Sequence, residues 1–256
     1  MPGSPALFVV DELPAGAGFV LDGPEGRHAA TVRRLRVGER LVLTDGRGGL
    51  AACRVAALGG PAGRDALRLD VLRCWHEAAP APRVVLAQAL LKGDRGELAV
   101  ELATEAGVDA VLPWRAARCV VRWEPGARGE RALRKWRATA REAAKQSRRA
   151  WLPQVGEPVD TAALAARVSA TDRALVLHEG ASAGLASVEL PAAGELLIVV
   201  GPEGGIDDAE LGALAAAGAV AVRLGPTVLR ASTAAAVTLG ALGVLTGRWG
   251  ATHSES

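Results

Sequence analysis

The sequence predicts two domains, a small all-β domain followed by a larger α/β domain built on a mostly parallel sheet. Three observations carry this expectation. Residues 1–75 hold short apolar runs broken by Gly-rich turns, and residues 76–82 (HEAAPAP) hold prolines that disfavour helix and strand alike. From residue 83 onward, apolar runs alternate with segments of helical periodicity. A chain of 256 residues suits one large or two modest domains at ~100–200 residues each.

The first domain is expected over 1–75. Its strands are LFVV (7–10), RLVLTD (40–45), LAACRVAAL (50–58) and LRLDVLRCW (67–75), and GRGG (46–49) makes the hairpin turn between the second and third. A short helix within 25–39 carries His28, Arg33, Arg34 and Arg36. After the linker at 76–82, the second domain spans 83–250, and 251–256 is expected to be a disordered tail. Strands are expected at 83–90, 108–114, 173–180, 195–205 and 220–226, the last three each running into a Gly-containing loop. Helices are expected at 96–107, 129–151, 206–218 and 227–247. Parallel sheets place ligands at the carboxyl ends of their strands, so the loops at 178–180, 201–205 and 225–233 should converge.

Composition excludes several classes. Half the residues are apolar and 23% are charged, which rules out a wholly disordered chain. Fifty-three Ala, 27 Arg against 3 Lys, two Phe and no Tyr imply a GC-rich coding background and a core packed from Ala, Val and Leu. Cys53, Cys74 and Cys119 form no CxxC pair, so no disulfide framework or Cys-based zinc site is expected, and a reducing compartment is. His28, His76, His178 and His253 form no HxxxH pair, and no metal is expected. The N-terminus lacks the basic region of a signal peptide, and 234–246 is too short to span a bilayer, so the protein is expected to be soluble and cytoplasmic.

The net charge of +2 argues against a uniformly basic nucleic-acid binder, yet it hides a strong asymmetry. Residues 115–150 carry 12 basic and 3 acidic groups, a net of +9, whereas residues 151–256 carry 5 and 11, a net of −6. Within the basic stretch Leu133, Trp136, Ala140, Ala144 and Ser147 recur at helical spacing as a buried stripe. Arg134, Arg137, Arg141, Lys145 and Arg148 run beside it, rotated by one residue. A charge run is usually a solvated face. Acidic residues are scarce here, however, so i,i+4 pairing does not account for the stripe, and a phosphate-contacting surface is expected.

LLIVVGPEGG joins a strand to a helix through a Gly-rich loop, without the GxGxxG or GxxxxGK[ST] fingerprints of nucleotide binding. Glu203, Asp207 and Asp208 at the helix start would repel phosphates, which favours a neutral or cationic ligand. In LGPTVLRAST, Ser232 and Thr233 suit helix capping, whereas Arg230 interrupts a run that should be buried and needs a functional or structural partner. His178 and Glu179 end a third strand at the same edge.

Together QALLKGDRGELAVELATEAGV, AAKQSRR, LHEG, VVGPEGG and RLGPTVLRASTA, in this order, resemble the ribosomal RNA small subunit methyltransferase E family. HAATVRRLRVGE extends the resemblance into the first domain. It implies a PUA-like β-barrel followed by a SPOUT-class α/β domain with a trefoil knot. The implied activity is methylation of uridine N3 in 16S rRNA of the small ribosomal subunit by a homodimer using S-adenosylmethionine, with no DNA or membrane partner.

By motif match the cofactor would contact Leu177, His178, Glu179 and Gly180 in one loop, and Val200, Gly201, Pro202, Glu203, Gly204 and Gly205 in a second. A third would supply Leu224, Gly225, Val228, Leu229, Arg230, Ser232, Thr233 and Ala234. Arg230 is the expected stabiliser of the imide anion, and Glu203, Glu179, His178 or a solvent-contacting base the proton acceptor. Lys92, His28, Arg33, Arg34, Arg36, Gln146 and Arg149 join the basic stripe as expected RNA contacts. Two positions depart from the family pattern: Ser232 replaces a Glu, and Ala6-Leu7-Phe8 replaces Arg-Phe-Phe. A ribose 2′-OH methyltransferase of the same class and a non-catalytic ribosome-assembly factor are the alternatives.

Overall fold

The structure, a computed structural model, describes residues 5–59, 63 and 65–250. The tail expected at 251–256 lies outside them. The chain divides into two compact units, one of residues 1–79 with 144–152 and one of residues 80–143 with 153–256.

The first unit holds β1 (Ala6–Val9), β2 (Gly18–Leu21), β3 (Arg40–Thr44), β4 (Gly49–Leu58) and β5 (Leu67–His76) in one sheet of order β1-β3-β4-β5-β2. Only β1 and β3 run parallel; the other pairs are antiparallel. Alternation sets its inner face, with Leu41 and Leu43, Ala51, Cys53 and Val55, and Leu67 and Leu69 buried with Phe8. Between β2 and β3 lie the short helix α1 (Gly23–Arg27), started by Pro24, and a π-helical turn over His28–Val32. β2 was not expected from sequence, because Gly18-Phe-Val-Leu21 follows a Gly- and Ala-rich stretch with no alternation to mark it.

The segment 144–152, expected up to residue 151 to lie inside the long helix of the second domain, groups with the first unit. Ala150 packs with Leu7 and Leu50, and the Trp151 indole donates to the Glu77 carbonyl at 2.9 Å. The Thr44 hydroxyl donates to the carbonyls of Gly49 (2.9 Å) and Ala150 (3.2 Å).

The second unit is a six-stranded sheet of order β11-β9-β10-β6-β7-β8, parallel throughout. Its strands are β6 (Arg83–Ala89), β7 (Ala110–Trp114), β8 (Gln154–Val155), β9 (Arg173–Leu177), β10 (Glu195–Val200) and β11 (Val220–Val222). The central strands are buried without alternation, as a sheet covered on both faces requires: Val84 to Ala89 and Leu196 to Val200 are all buried, and all but Gln88 are apolar. Each fully buried Leu or Val contributes about 1.5–3 kcal/mol.

The covering helices are α2 (Arg95–Glu105), α3 (Ala127–Gln146), α4 (Thr161–Ser169), α5 (Asp208–Ala216) and α6 (Ala231–Leu245), with the last three residues of α3 in the first unit. α3 stops five residues before the expected end at 151, where Arg148 turns left-handed (φ 55°) and donates its N–H to the Lys145 carbonyl. α6 begins at Ala231 rather than 227, after Pro226 and an extended stretch. α4, absent from the sequence expectation, is capped by Asp160, which accepts from Ala163 N–H at 2.8 Å.

Beyond α6, Arg248 closes the unit. Its guanidinium donates to the carbonyls of Pro82 and Gly107 and pairs with Asp109 at 2.9 Å, with only 8% and 11% of the two side chains exposed. Trp249 lies over Gly243, where a Cβ would come within 2.5 Å of the indole. No helix among the described residues is long and apolar enough to cross a membrane. Removing one partner of a buried, hydrogen-bonded ion pair strands the other charge. Arg248→Ala is expected to lower stability by about 3–5 kcal/mol in urea unfolding, whereas Arg134→Ala on the exposed face of α3 should change it by less than about 1 kcal/mol.

Candidate functional site

Three strands of the second unit, β9, β10 and β11, release their loops at one edge, and a cavity of about 460 Å³ lies among those loops. Leu177, His178 and Glu179 line it from the first loop, and Val200, Gly201, Pro202, Glu203 and Gly205 from the second. Leu224, Gly225, Val228, Leu229, Arg230, Ser232 and Ala234 line it from the third. Three residues expected in the site are not among its lining. Gly180 N–H donates to His178 Nδ1 at 3.1 Å, Gly204 turns its carbonyl to Arg118, and Thr233 N–H donates to the Arg230 carbonyl at 2.9 Å. Arg95, Ile206, Val222, Arg223, Pro226, Thr227 and Ala231 line the cavity and were not expected as contacts.

Gly201 is required by space: a Cβ there would lie 2.5 Å from Ile206 Cγ1. Gly205 adopts φ 75°, which other residues rarely do. The loop between them is tied down from behind. Arg118, in the loop that follows β7, donates to the Gly204 carbonyl (3.3 Å) and pairs with Asp207 (3.5 Å). Asp207 caps α5, and Glu210 completes the capping box. The buried Glu210 carboxylate also accepts from Ala117 N–H (2.9 Å) and the Thr161 hydroxyl (2.6 Å), while Trp114 Nε1 donates to Thr161 at 3.2 Å. Arg118 and Glu210 were missed, although β7 ends at the same sheet edge and its loop was open to the same convergence rule.

Arg230 corrects an expectation. It is exposed, because α6 starts one residue later and Arg230 is its N-cap position on the loop rather than a buried helical residue. Ser232 is the buried polar side chain of that turn. Glu203 is one-third exposed; its Oε1 accepts from Lys92 N–H and Arg95 Nη1, both at 3.4 Å. The Cys119 thiol, behind this site, is pushed up by burial and further by Glu210 and Glu203; burial raises Cys53 to about 11.

The basic stripe and its helix differ from expectation in that several cations meet acidic partners, one within α3 and others from outside it. Arg137 pairs with Glu157 (2.8 Å) and donates to the Val155 carbonyl (3.1 Å), Lys135 pairs with Glu97 (3.0 Å), and Arg134 pairs with Glu130 (3.5 Å). Lys145 is buried against Glu25 at 3.0 Å, so it is not a solvent-facing member of the stripe. Arg141, Gln146, Arg148, Arg33, Arg34, Arg36 and Lys92 are exposed, and Arg149 and His28 half-buried. Among the described residues no cluster of His, Cys, Asp and Glu is arranged to hold a metal ion.

An RNA methyltransferase domain model matches residues 78–243, and an RNA methyltransferase PUA domain model matches residues 21–61. Ribosomal RNA small subunit methyltransferase E of Mycobacterium bovis is 57% identical over 254 residues, covering 97% of this chain and 95% of the relative. The chain belongs to the ribosomal RNA small subunit methyltransferase E family. The Bacillus subtilis member is 30% identical, with 91% of each chain covered. The solved structure of the Neisseria gonorrhoeae member, bound to S-adenosyl methionine, is 25% identical and superposes with a TM-score of 0.80 over 94% of this chain and 98% of that one. The expected architecture therefore holds: a PUA-like domain precedes a SPOUT-type, mostly parallel α/β domain.

In this member of the family, Glu210 joins the loops that follow β7 and β10. Glu210→Ala strands the Ala117 N–H and the Thr161 hydroxyl and should cost about 2–4 kcal/mol in urea unfolding, with Glu210→Gln recovering part of the loss. Equal stability of Glu210→Ala and the parent chain would contradict this assignment.

Proposed function

We propose that this protein transfers a methyl group from S-adenosylmethionine to N3 of a uridine in 16S rRNA of the small ribosomal subunit. The observation that carries the reading is that Arg230 and Glu203, from different loops, line one cavity at the carboxyl edge of the parallel sheet. The relatives named above supply the rRNA substrate class and the cofactor.

The residues present fit that cofactor. The cavity of about 460 Å³ falls within the ~300–1,000 Å³ of small-molecule pockets. Its back wall follows the Gly201 backbone, where any side chain would collide with Ile206. Among the charged side chains that line it, Glu179 and Glu203 are the carboxylates a cationic sulfonium could meet, beside Arg95, Arg223 and Arg230. When bound, S-adenosylmethionine supplies an electrophilic methyl group on a sulfonium.

The chain's own residues handle the uracil. Its N3–H proton must leave as the N–C bond forms, and Glu203 is the carboxylate placed to accept it. Arg95 and Lys92 N–H hold Oε1 of Glu203, leaving Oε2 for the substrate. The His178 Nδ1 lone pair is already taken by Gly180 N–H, which leaves the imidazole less suited to that task. Arg230, exposed at the cavity rim, supplies fixed positive charge for the imide anion that develops over N3 and the flanking carbonyls. The uridine must be unpaired or flipped to present N3.

The homodimer and the knotted threading of the SPOUT class belong to the same reading. α6 is apolar on nearly every side and leaves Val237 and Val244 exposed, a face that a second copy would cover. The absence of membrane-spanning helices among the described residues suits action on ribosomal subunits in the cytoplasm.

Nucleoside analysis of rRNA treated with the protein and cofactor should show 3-methyluridine. Arg230→Ala should lower the turnover rate by about 10²–10³, and Glu203→Gln by about 10²–10⁴. Wild-type rates in both variants would remove their assigned roles, and a 2′-O-methyl product would replace the N3 assignment. Gly201→Ala should weaken cofactor binding by at least about tenfold in calorimetry, because its Cβ would have to displace Ile206.

A further inference from the structure

The first unit contains a second, smaller cavity of about 60 Å³. Three segments far apart in sequence meet there: β1 with Phe8, the π-helical turn with His28 and Arg33, and the end of α3 with Lys145, Gln146 and Arg148. All of them belong to the first unit, and the methyl-transfer mechanism uses none of them. We propose that this cavity seats one backbone phosphate of the RNA substrate, an inference that rests on the RNA methyltransferase reading above.

Size selects the ligand class. The cavity is far below the ~300 Å³ at which pockets begin to enclose drug-sized molecules, so it takes a small oxyanion rather than a base or nucleoside. The lining chemistry agrees. It offers two guanidinium groups, an imidazole, a primary amide and an ammonium, and no Asp or Glu lines it among the described residues. Guanidinium forks match phosphate oxygens in pairs.

The parts of the cluster divide between building the cavity and reading the ligand. Lys145 is 8% exposed and bound to Glu25 at 3.0 Å, which joins the end of α3 to α1. The His28 ring meets Phe8 edge to face, with centroids 6.0 Å apart and planes at 76°, which fixes the imidazole at the cavity. Arg33 and Arg148 are exposed and provide the fixed charges that a phosphate would meet. Basic residues at the end of α3 also suit the helix dipole. That account does not explain why His28 and Arg33 come from another segment to the same place.

Backbone conformation singles out the same two segments. Arg34, directly after Arg33, has φ 54°, and Arg148 itself has φ 55°; these are the non-glycine residues with positive φ among those described. Left-handed arginines are uncommon, and held strain of this kind gathers at ligand-binding sites.

The test is RNA binding by the full-length protein, read by fluorescence anisotropy across a range of KCl concentrations. One probe is an rRNA fragment containing the target uridine, and the other an oligouridylate of equal length. A backbone-phosphate contact is blind to sequence, so Arg33→Gln should weaken both RNAs on the order of tenfold. It should also reduce the slope of log K against log[salt] by about 0.7–0.9. Arg148→Gln should do the same, and His28→Gln gives a third reading that leaves both guanidinium groups in place. Cofactor affinity, measured by calorimetry on the same samples, should stay unchanged and reports that each variant is folded.

Affinities and slopes within twofold of the parent chain for Arg33→Gln and Arg148→Gln would overturn the proposal. So would binding of inorganic phosphate that depends on Arg33 while RNA binding does not, since the cavity would then serve a free anion. Failure of the parent chain to form 3-methyluridine overturns the methyl-transfer reading instead. The salt-slope comparison does not depend on that product, so the two failures are separable.

Discussion

The all-parallel pairing of the second sheet is the constraint on which the rest of that unit depends. Parallel strands need long crossovers, and the crossover helices cover both faces, so strand interiors must be apolar throughout. Val84 to Ala87 and Leu196 to Val200 meet that demand, with the buried Gln88 as an exception near the carboxyl end of β6, and the long charged side chains of this region lie mostly at the ends of the strands. At the amino end, Arg83 and Arg167 converge on Glu195 in a structural ion-pair cluster. At the carboxyl end, the same necessity gathers Glu203, Arg230, Arg95 and Arg118 around a cavity or directly behind it. Charged side chains gather at the two edges because the covered sheet leaves little room for them elsewhere.

Much of the second unit was legible because strong periodicity survived a narrow residue alphabet. Runs such as RVVLAQAL and ELLIVV admit few readings, and Gly after each of β9, β10 and β11 marked where the loops begin. The Ala-rich α4 was missed because TAALAARVS offers little contrast between faces; only Leu164 and Val168 are fully buried. β8 is two residues long and too short to carry a signal. The Glu210 network was not legible, since its partners at 114, 117 and 161 meet only through the tertiary fold.

Charge reading gave a mixed result for a definite reason. The excess of nine positive charges in 115–150 is real, yet scarcity of acid within a segment says nothing about acids brought in by folding. Glu157, Glu97 and Glu25 each meet a cation of α3 from a distant part of the chain. Arg230 shows the opposite error, where burial inferred from apolar neighbours failed because the helix begins only at Ala231, leaving Arg230 on the loop before it. Patterns along a helix predict its faces well, and predict poorly what occupies the space opposite them.

The closure by Arg248 also sets an order of assembly. Residues up to Ala234 wall the cavity, and α6, packed into the core through Ala235, Leu239 and Leu242, is fastened further where Arg248 reaches Pro82, Gly107 and Asp109, well over a hundred residues earlier in the chain. Chains fold from the N-terminus as they are made, so the first unit's sheet can form while this cavity still lacks a wall. The wall that α6 gives this cavity is thus made well after strands β6, β9 and β10, against which it closes.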